Sequence, residues 1–180
     1  MQDKFELRKF AKDFRKTLNI KEVSEKILQI FFNTEFYKNS KNIGLYYPIG
    51  NELDLTPILK NSEKNFFLPK ININDEMFFA KYESNNLING KYNIPEPASF
   101  EKIDLNILDV IIVPALMVDK KGYRLGYGKG YYDKLFNHSN FTGTKITFIP
   151  EKLFVDSLPI DTNDMPVDVV VTENQVYKII

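Results

Sequence analysis

Asp119-Lys-Lys-Gly-Tyr-Arg-Leu-Gly-Tyr-Gly-Lys-Gly-Tyr-Tyr-Asp133 is the stretch that decides the fold. It follows Val110-Ile-Ile-Val-Pro114, a short β-branched run that ends in proline and therefore predicts a buried strand. Glycines alternate at positions 126, 128 and 130, and residues 131–136 predict the first turns of a helix. Glycines let backbone N–H groups approach an anion, and a helix N-terminus adds partial positive charge. The order strand, glycine loop, helix therefore predicts a phosphate-binding loop.

Charged side chains flank these glycines. Arg124 and Lys129 are the two cations, and Lys129 suits a transferring phosphoryl group. Asp133 lies one helical turn further on, where a carboxylate can hold Mg²⁺. The glycine spacing fits neither a Walker loop nor the dinucleotide fingerprint. A flexible turn with a solvated lysine is the alternative, and it leaves the cluster of flanking charges unexplained.

The segment Gly122–Asp133 resembles the signature loop of the 5-formyltetrahydrofolate cyclo-ligase family. The resemblance implies that Lys129 and Arg124 are catalytic. It implies ATP contacts by the nine consecutive residues Arg124, Leu125, Gly126, Tyr127, Gly128, Lys129, Gly130, Tyr131 and Tyr132. It also implies folate contacts by Tyr127, Gly128, Lys129, Gly130 and Tyr131.

A basic stripe marks the first predicted helix, over residues 3–18, whose apolar positions repeat at Leu7, Phe10, Phe14 and Leu18. Pattern alone favours a solvated stripe. The family also begins with such a helix, and the resemblance implies ATP contacts for Lys4, Phe5, Glu6, Leu7 and Arg8. Arg8 is expected to reach the folate as well, since a guanidinium binds carboxylate or phosphate bidentately.

A strand is predicted over residues 41–47, and Tyr47 is its last residue. Glu52 lies in the segment that follows this strand. The sequence pattern alone indicates that Glu52 is an ordinary polar loop residue. The resemblance places both in the substrate site, and a carboxylate there can accept hydrogen bonds from pterin N–H groups.

Asp168 stands in Pro166-Val-Asp-Val-Val-Val-Thr172, which resembles the family segment with a second magnesium ligand. A structural cap at a strand start explains it equally well. Asn163 stands where the family usually has histidine, so any acid–base role of that histidine is dispensable or absent here.

The amino-acid composition limits the classes of protein to which the chain can belong. Lys plus Arg and Asp plus Glu number 24 each, so there is no general attraction to nucleic acid or to an anionic membrane. The absence of cysteine, of an apolar leader and of any long apolar run predicts a cytoplasmic protein. The lone His138, in a polar stretch, is expected in a surface loop. A monomer that binds small molecules only is expected.

Strands alternating with helices predict an α/β fold with a largely parallel sheet. Further helices are expected over residues 23–32 and 56–61, and further strands over residues 65–69, 77–82, 145–149 and 167–172. Residues 85–100 are expected to form a polar connection. The resemblance implies one domain over residues 1–180, a three-layer Rossmann-like sandwich of the type seen in sugar-phosphate isomerases and CoA transferases.

The sequence leaves three hypotheses for the function. The leading hypothesis, from the resemblance, is ATP- and Mg²⁺-dependent cyclisation of 5-formyltetrahydrofolate to 5,10-methenyltetrahydrofolate through an imino-phosphate. An isomerase or CoA-transferase-like enzyme would use the loop for phosphate without ATP. A non-catalytic nucleotide- or RNA-binding module would use tyrosine and lysine, although the neutral net charge weighs against it.

Overall fold

Helices cover both faces of a seven-stranded sheet in the computed structural model, which describes residues 3–179. The α-helices are α1 (Lys4–Lys16), α2 (Ile20–Phe32), α3 (Glu35–Lys38) and α4 (Tyr131–Asn137). Short 3₁₀ turns lie at Thr56–Lys60, Lys91–Asn93, Leu105–Ile107 and Glu151–Leu153. Asp3 begins α1 because its carboxylate accepts a hydrogen bond from the Glu6 N–H at 2.8 Å. No helix within residues 3–179 is both long and apolar enough to span a membrane.

The large sheet is parallel at its centre and antiparallel at both edges. Its strands are β1 (Asn42–Gly44), β2 (Asn65–Ile71), β3 (Met77–Lys81), β6 (Val110–Val113), β9 (Thr144–Phe148), β11 (Val169–Val171) and β12 (Val176–Lys178). Their order is β12-β11-β9-β6-β1-β2-β3, with only β12 and β3 antiparallel to their neighbours. Because the inner strands are parallel, their carboxyl ends meet at one edge of the sheet, where ligands bind in open α/β sheets.

Side chains of each strand alternate between two cores, as a sheet between two helical layers requires. One core packs against α1 and α4 and the other against α2 and α3. Phe67 and Ile111 enter the first core, whereas Phe66 and Ile112 enter the second. The predicted α/β class and mostly parallel sheet are therefore confirmed.

Two small sheets lie outside the large one. The first joins β7 (Met117–Asp119), β8 (Arg124–Leu125) and β10 (Phe154–Val155), which carry the chain into the glycine loop. The second is a hairpin of β4 (Leu87–Asn89) and β5 (Pro95–Pro97).

Several local expectations need correction. Residues 85–100 form the β4–β5 hairpin rather than an irregular connection, and neither α3 nor β12 was anticipated. Phe10 is 55% exposed although its spacing assigned it to the apolar face of α1. The buried positions of that helix are Leu7, Ala11 and Arg15, because the helix presents every fourth residue to the sheet.

Candidate active site

A cavity of about 510 Å³ opens at the carboxyl edge of the sheet, within the usual size range of small-molecule sites. Tyr46 and Tyr47 line it shortly after the end of β1, and Pro114 lines it directly after β6. Every residue of the glycine loop from Arg124 to Asp133 also lines it. Thus Tyr47, Glu52 and the loop, far apart in sequence, line one cavity.

The glycine loop adopts backbone conformations that favour glycine. Gly128 has φ +97° and Gly130 has φ +67°, both in the left-handed region, and α4 begins directly after Gly130. Arg8 secures the loop to α1, since its Nε donates to the Gly126 carbonyl at 2.9 Å. Its guanidinium also lies against Gly128, where an added Cβ would come within 3.5 Å of Arg8 Cζ. The loop and the first helix therefore form one wall.

Arg124 is a buried structural cation as well as a wall of the cavity. Its side chain is 5% exposed, and its Nη2 lies 2.8 Å from Asp133 Oδ1. Burial lowers the pKa of Arg124, and the nearby Asp133 carboxylate opposes that change. Its Nε has no hydrogen-bond partner within residues 3–179. The same Asp133 oxygen accepts a bond from the Met165 N–H at 3.1 Å, so this carboxylate holds three segments together.

Lys4 lines the cavity, but two carboxylates hold its charge. Its Nζ lies 2.7 Å from Asp161 Oδ2 and 2.6 Å from Asp164 Oδ2. Burial acts to lower the pKa of Lys4, and hydrogen bonds to these carboxylates outweigh it, so the pKa is raised. The group can meet an anion only by sharing or leaving these partners.

Three residues expected to contact ATP lie outside the cavity. Phe5 is 73% exposed, Leu7 is in the core beneath α1, and Glu6 is in the exposed first turn. The reason is the helical period, which brings only Lys4 and Arg8, four residues apart, to the cavity.

Glu52 is a buried carboxylate that lines the cavity beside Tyr127 of the glycine loop. It is 8% exposed, and its Oε2 accepts a bond from the Ile49 N–H at 2.9 Å. Burial raises the pKa of Glu52 despite that bond and a hydrogen bond with Tyr127. Burial and the adjacent Glu52 likewise raise the pKa of Tyr127. Such a carboxylate suits recognition of ligand N–H groups, because a ligand donor satisfies it where water has little access.

A tyrosine clasp, which we define as Asp75, Lys91, Tyr92 and Tyr131, contributes Tyr92 and Tyr131 to the lining of the cavity. The Tyr131 hydroxyl donates to Asp75 Oδ1 at 2.6 Å and lies 3.2 Å from the Tyr92 hydroxyl. Lys91 pairs with the same Asp75 oxygen. Within residues 3–179 the non-glycine residues with positive φ are Asp75, Tyr92 and Asn93. Strained backbone of this kind concentrates at functional sites, and here it brings two hairpin tips to the start of α4.

The hairpin that carries Tyr92 is anchored by a buried ion pair. Glu96 and Lys70 are 5% and 1% exposed, with 4.0 Å between Glu96 Oε2 and Lys70 Nζ. Lys70 Nζ also donates to the Pro97 carbonyl at 2.7 Å. The Glu96 carboxylate fills the space beside Gly90, where an added Cβ would lie 2.0 Å from Glu96 Cδ. This anchor sets the position of the hairpin over the cavity.

Asp168 does not line the cavity that Asp133 lines. It precedes β11, at the amino end of the parallel strands, and its Oδ2 accepts a bond from the Lys145 N–H at 2.7 Å. The structure therefore does not bring the two predicted magnesium ligands together. Within residues 3–179 there is no group of three acidic, histidine or cysteine residues that could hold a metal.

Sequence reasoning missed part of the lining. Asp161, Asp164, Tyr92 and Glu96 face the cavity, and none was counted as a site residue. Glu96 had a signal, the Ile94-Pro-Glu-Pro97 segment that resembles the family. The others lie in polar loops without a pattern that separates them from ordinary surface residues.

Fold and site together define a class: an α/β protein whose glycine loop, Lys129 and Arg8 form a cationic wall at the carboxyl edge of a parallel sheet. The family model described as "5-formyltetrahydrofolate cyclo-ligase family" matches residues 1–173, and the chain belongs to that family. It is therefore a folate enzyme of the ligase type, which argues against the isomerase-like and the non-catalytic alternatives.

Individual relatives agree with this assignment. The structure of Aquifex aeolicus 5,10-methenyltetrahydrofolate synthetase superposes with a TM-score of 0.87 at 36% identity, covering 98% of this chain and 92% of that one. The synthetase from Mycoplasma pneumoniae gives 0.75 at 25% identity, covering 96% and 99%. The 5-formyltetrahydrofolate cyclo-ligase of Mus musculus is 29% identical over 154 residues, 77% of this chain and 76% of its own length.

Proposed function

We propose that the chain catalyses ATP-dependent closure of 5-formyltetrahydrofolate to 5,10-methenyltetrahydrofolate, releasing ADP and phosphate. One observation carries the proposal: the glycine loop with Lys129 shares a single cavity with the buried carboxylate Glu52. The first element suits a phosphate chain and the second suits the N–H groups of a pterin ring. A cavity with both can bring the two substrates together.

The reaction begins with transfer of the terminal phosphoryl group of ATP to the formyl oxygen. The adjacent ring nitrogen supplies the electron pair that forms the imino-phosphate. The neighbouring amine then attacks the activated carbon, loses its proton and closes the ring, and phosphate leaves with the former formyl oxygen. Phosphoryl transfer requires alignment and charge neutralisation more than covalent help. We assign these tasks to the backbone of residues 126–130, to Lys129 and to Arg8.

Magnesium enters this proposal as part of the nucleotide substrate. Mg²⁺ is commonly held by one or two carboxylates together with substrate phosphates. Asp133 lines the cavity with one oxygen engaged by Arg124 and Met165, so its second oxygen fits such a contact. Asp168 does not fit it, because it lies at the opposite edge of the sheet. We assign Asp168 the structural role of capping β11.

An absorbance assay for the methenyl product tests the proposal. Purified protein receives 5-formyltetrahydrofolate and Mg²⁺, with and without ATP. Product that appears only with ATP supports the proposal. Failure to form product despite measurable ATP binding would reject it. That the chain forms a single domain, is monomeric and is cytoplasmic remains a prediction.

Replacing Glu52 with glutamine should weaken folate binding and at the same time stabilise the fold. We expect the KM for the folate to rise about tenfold, because a neutral amide accepts weaker hydrogen bonds than a carboxylate. The fold should become more stable at neutral pH, since the buried charge is removed.

The pH dependence of that gain follows from the raised pKa of Glu52. The folded state binds this proton more tightly than the unfolded state, so its contribution to stability is full below the ordinary pKa and is lost as pH rises through the folded pKa. The stability difference between Glu52→Gln and the wild-type protein should therefore increase with pH in urea unfolding. A difference that shrinks with pH would contradict the assignment.

Loosening the tyrosine clasp should weaken substrate binding. Asp75→Asn keeps a residue that tolerates positive φ but removes the charge that Tyr131 and Lys91 share. We expect the KM values for ATP and for the folate to rise about fivefold, which is the effect of losing one charged hydrogen bond at an accessible site. Asn74→Ala, in the same turn, is the matched control and should leave KM unchanged. Equal effects of the two variants would show that the clasp has no role in binding.

A further inference from the structure

A charged residue occupies the buried face of α1. Leu7, Ala11 and Arg15 follow one another at intervals of one helical turn and are the buried residues of this helix. The first two are apolar, whereas Arg15 carries a full charge and is only 3% exposed. Arginine is almost never buried to this degree unless a partner compensates its charge. The position of Arg15 therefore requires a negative charge nearby.

The direct contacts of Arg15 do not neutralise it. Its Nη2 donates to the Ala115 carbonyl at 2.6 Å. A guanidinium has several further N–H donors, and the buried Arg15 Nε has no hydrogen-bond partner within residues 3–179. Arg15 also forms no ion pair with a carboxylate in this part of the chain. The carbonyl bond thus fixes the side chain in place but leaves its charge uncompensated.

Glu52 is a buried charge of opposite sign that borders the same residues. It is 8% exposed, and among the described residues it too forms no ion pair. Ile49 donates its N–H to Glu52 Oε2 at 2.9 Å, and Tyr127 shares a hydrogen bond with Glu52. Ile49 and Tyr127 also line, together with Arg15, a second cavity of about 250 Å³. Arg15 and Glu52 are therefore neighbours of the same two residues.

Among the groups that surround Glu52, Arg15 supplies the positive charge. The titratable groups from the other elements are Tyr46 after β1, Tyr127 in the glycine loop and Tyr132 in α4, and burial raises the pKa of each, so they are neutral at neutral pH. Burial raises the pKa of Glu52 as well, and the charge of Arg15 opposes that change together with the two hydrogen bonds. Salt screens the attraction little, because both groups are buried. Loss of Arg15 would therefore favour the protonated carboxyl.

We infer that Arg15 is a positioning residue of the proposed folate site: its buried charge keeps Glu52 ionised, so that the carboxylate accepts hydrogen bonds from the N–H groups of the pterin. This inference rests on the proposed function. A neutral carboxyl would carry a proton on one oxygen and would present a donor, where the ligand needs an acceptor. Arg15 does not line the active-site cavity, and it acts only through Glu52.

The test measures the ionisation of Glu52 and the binding of the folate separately. Arg15→Gln removes the charge but keeps an amide that can donate to the Ala115 carbonyl, and Arg15→Lys keeps the charge. Arg15→Met, apolar like the rest of this helix face, replaces Arg15→Gln if that variant does not fold. Lys9→Gln is the matched control, since it removes one positive charge of α1 at an exposed position that lines neither cavity.

Two titrations are recorded for each protein. NMR of isotopically labelled glutamate carboxyl carbons follows the ionisation of Glu52, and Glu52→Gln identifies its signal. The Kd for 5-formyltetrahydrofolate is measured without ATP over the same pH range. Conversion of the folate with ATP and Mg²⁺ is assayed in parallel.

We expect Glu52 to titrate below neutral pH in the wild-type protein and in Lys9→Gln. In Arg15→Gln the midpoint should lie about one pH unit higher, because loss of a nearby cation disfavours the carboxylate. The Kd for the folate should rise about tenfold on the acidic side of both midpoints and approach the wild-type value in alkaline solution, following the ionised fraction. Arg15→Lys should recover most of the wild-type midpoint. In the Glu52→Gln background, Arg15→Gln should leave the pH dependence unchanged.

Three results would overturn the inference. The first is a Glu52 that is protonated at neutral pH in the wild-type protein, which needs no variant at all. The second is an unchanged midpoint when the charge of Arg15 is removed. The third is a Kd that rises equally at every pH, as a purely structural effect would produce. Failure of the wild-type protein to bind or convert the folate would instead reject the proposed function, and the NMR midpoints would still decide whether Arg15 controls the charge of Glu52.

Discussion

Lys129→Ala is expected to lower turnover by about 10³-fold while leaving the fold intact, as removal of a charge that stabilises a transition state does. Lys129 is exposed in the glycine loop, and it forms no ion pair with any residue in 3–179. Its Nζ lies 5.7 Å from the centre of the Tyr92 ring. A cation with only an aromatic neighbour can meet a phosphoryl group without first breaking a salt bridge. The fold should not change, since the side chain buries little surface.

Single-turnover kinetics with saturating ATP and folate measure this loss, and circular dichroism checks the fold. Lys129→Arg keeps the charge and should recover part of the rate. Lys134→Ala removes an exposed lysine from α4, outside the cavity, and should behave as wild type. Turnover of Lys129→Ala near the wild-type rate would show that another cation neutralises the transferred group.

Arg124→Met is expected to cost about 3 kcal/mol of unfolding free energy, the lower end of the range for breaking a buried ion pair. The lower end applies because Asp133 retains 19% exposure and keeps its bond from the Met165 N–H. The substitution leaves the Asp133 carboxylate without its cation in a largely apolar wall. Urea unfolding measures the effect directly.

The double variant Arg124→Met/Asp133→Asn distinguishes a structural pair from a simple packing effect. With both charges removed, no unpaired carboxylate remains, and the loss should be smaller than for Arg124→Met alone. A double variant that is less stable than Arg124→Met would mean that the pair is not the reason for the loss.

Local patterns predicted most of the fold correctly. The run Val110–Val113 forms a buried strand, and residues 131–137 form a helix directly after the glycines, as their spacing indicated. Both depend on neighbours in sequence: the period of apolar side chains and the backbone freedom of glycine. The β4–β5 hairpin was missed because its stability comes from packing, through the buried pair of Glu96 and Lys70, rather than from strand-forming residues.

The structure brings some of the expected site residues to the cavity and leaves others outside it, and their roles stay predictions. Every residue of the loop from Arg124 to Asp133 lines the cavity. Phe5, Glu6 and Leu7 were included with Lys4 and Arg8 as one continuous segment, although a helix turns intermediate residues away.

The sequence by itself determined the glycine loop, its strand and helix, and the family, because these reside in short stretches whose chemistry is local. Only the tertiary structure decided which distant groups meet. Lys4 meets Asp161 across 157 residues, Tyr131 meets Asp75 across 56, and Asp168 lies at the opposite edge of the sheet from Asp133. The physical reason is that strand order and direction determine which loops share an edge, and those depend on burial of both sheet faces by the whole chain.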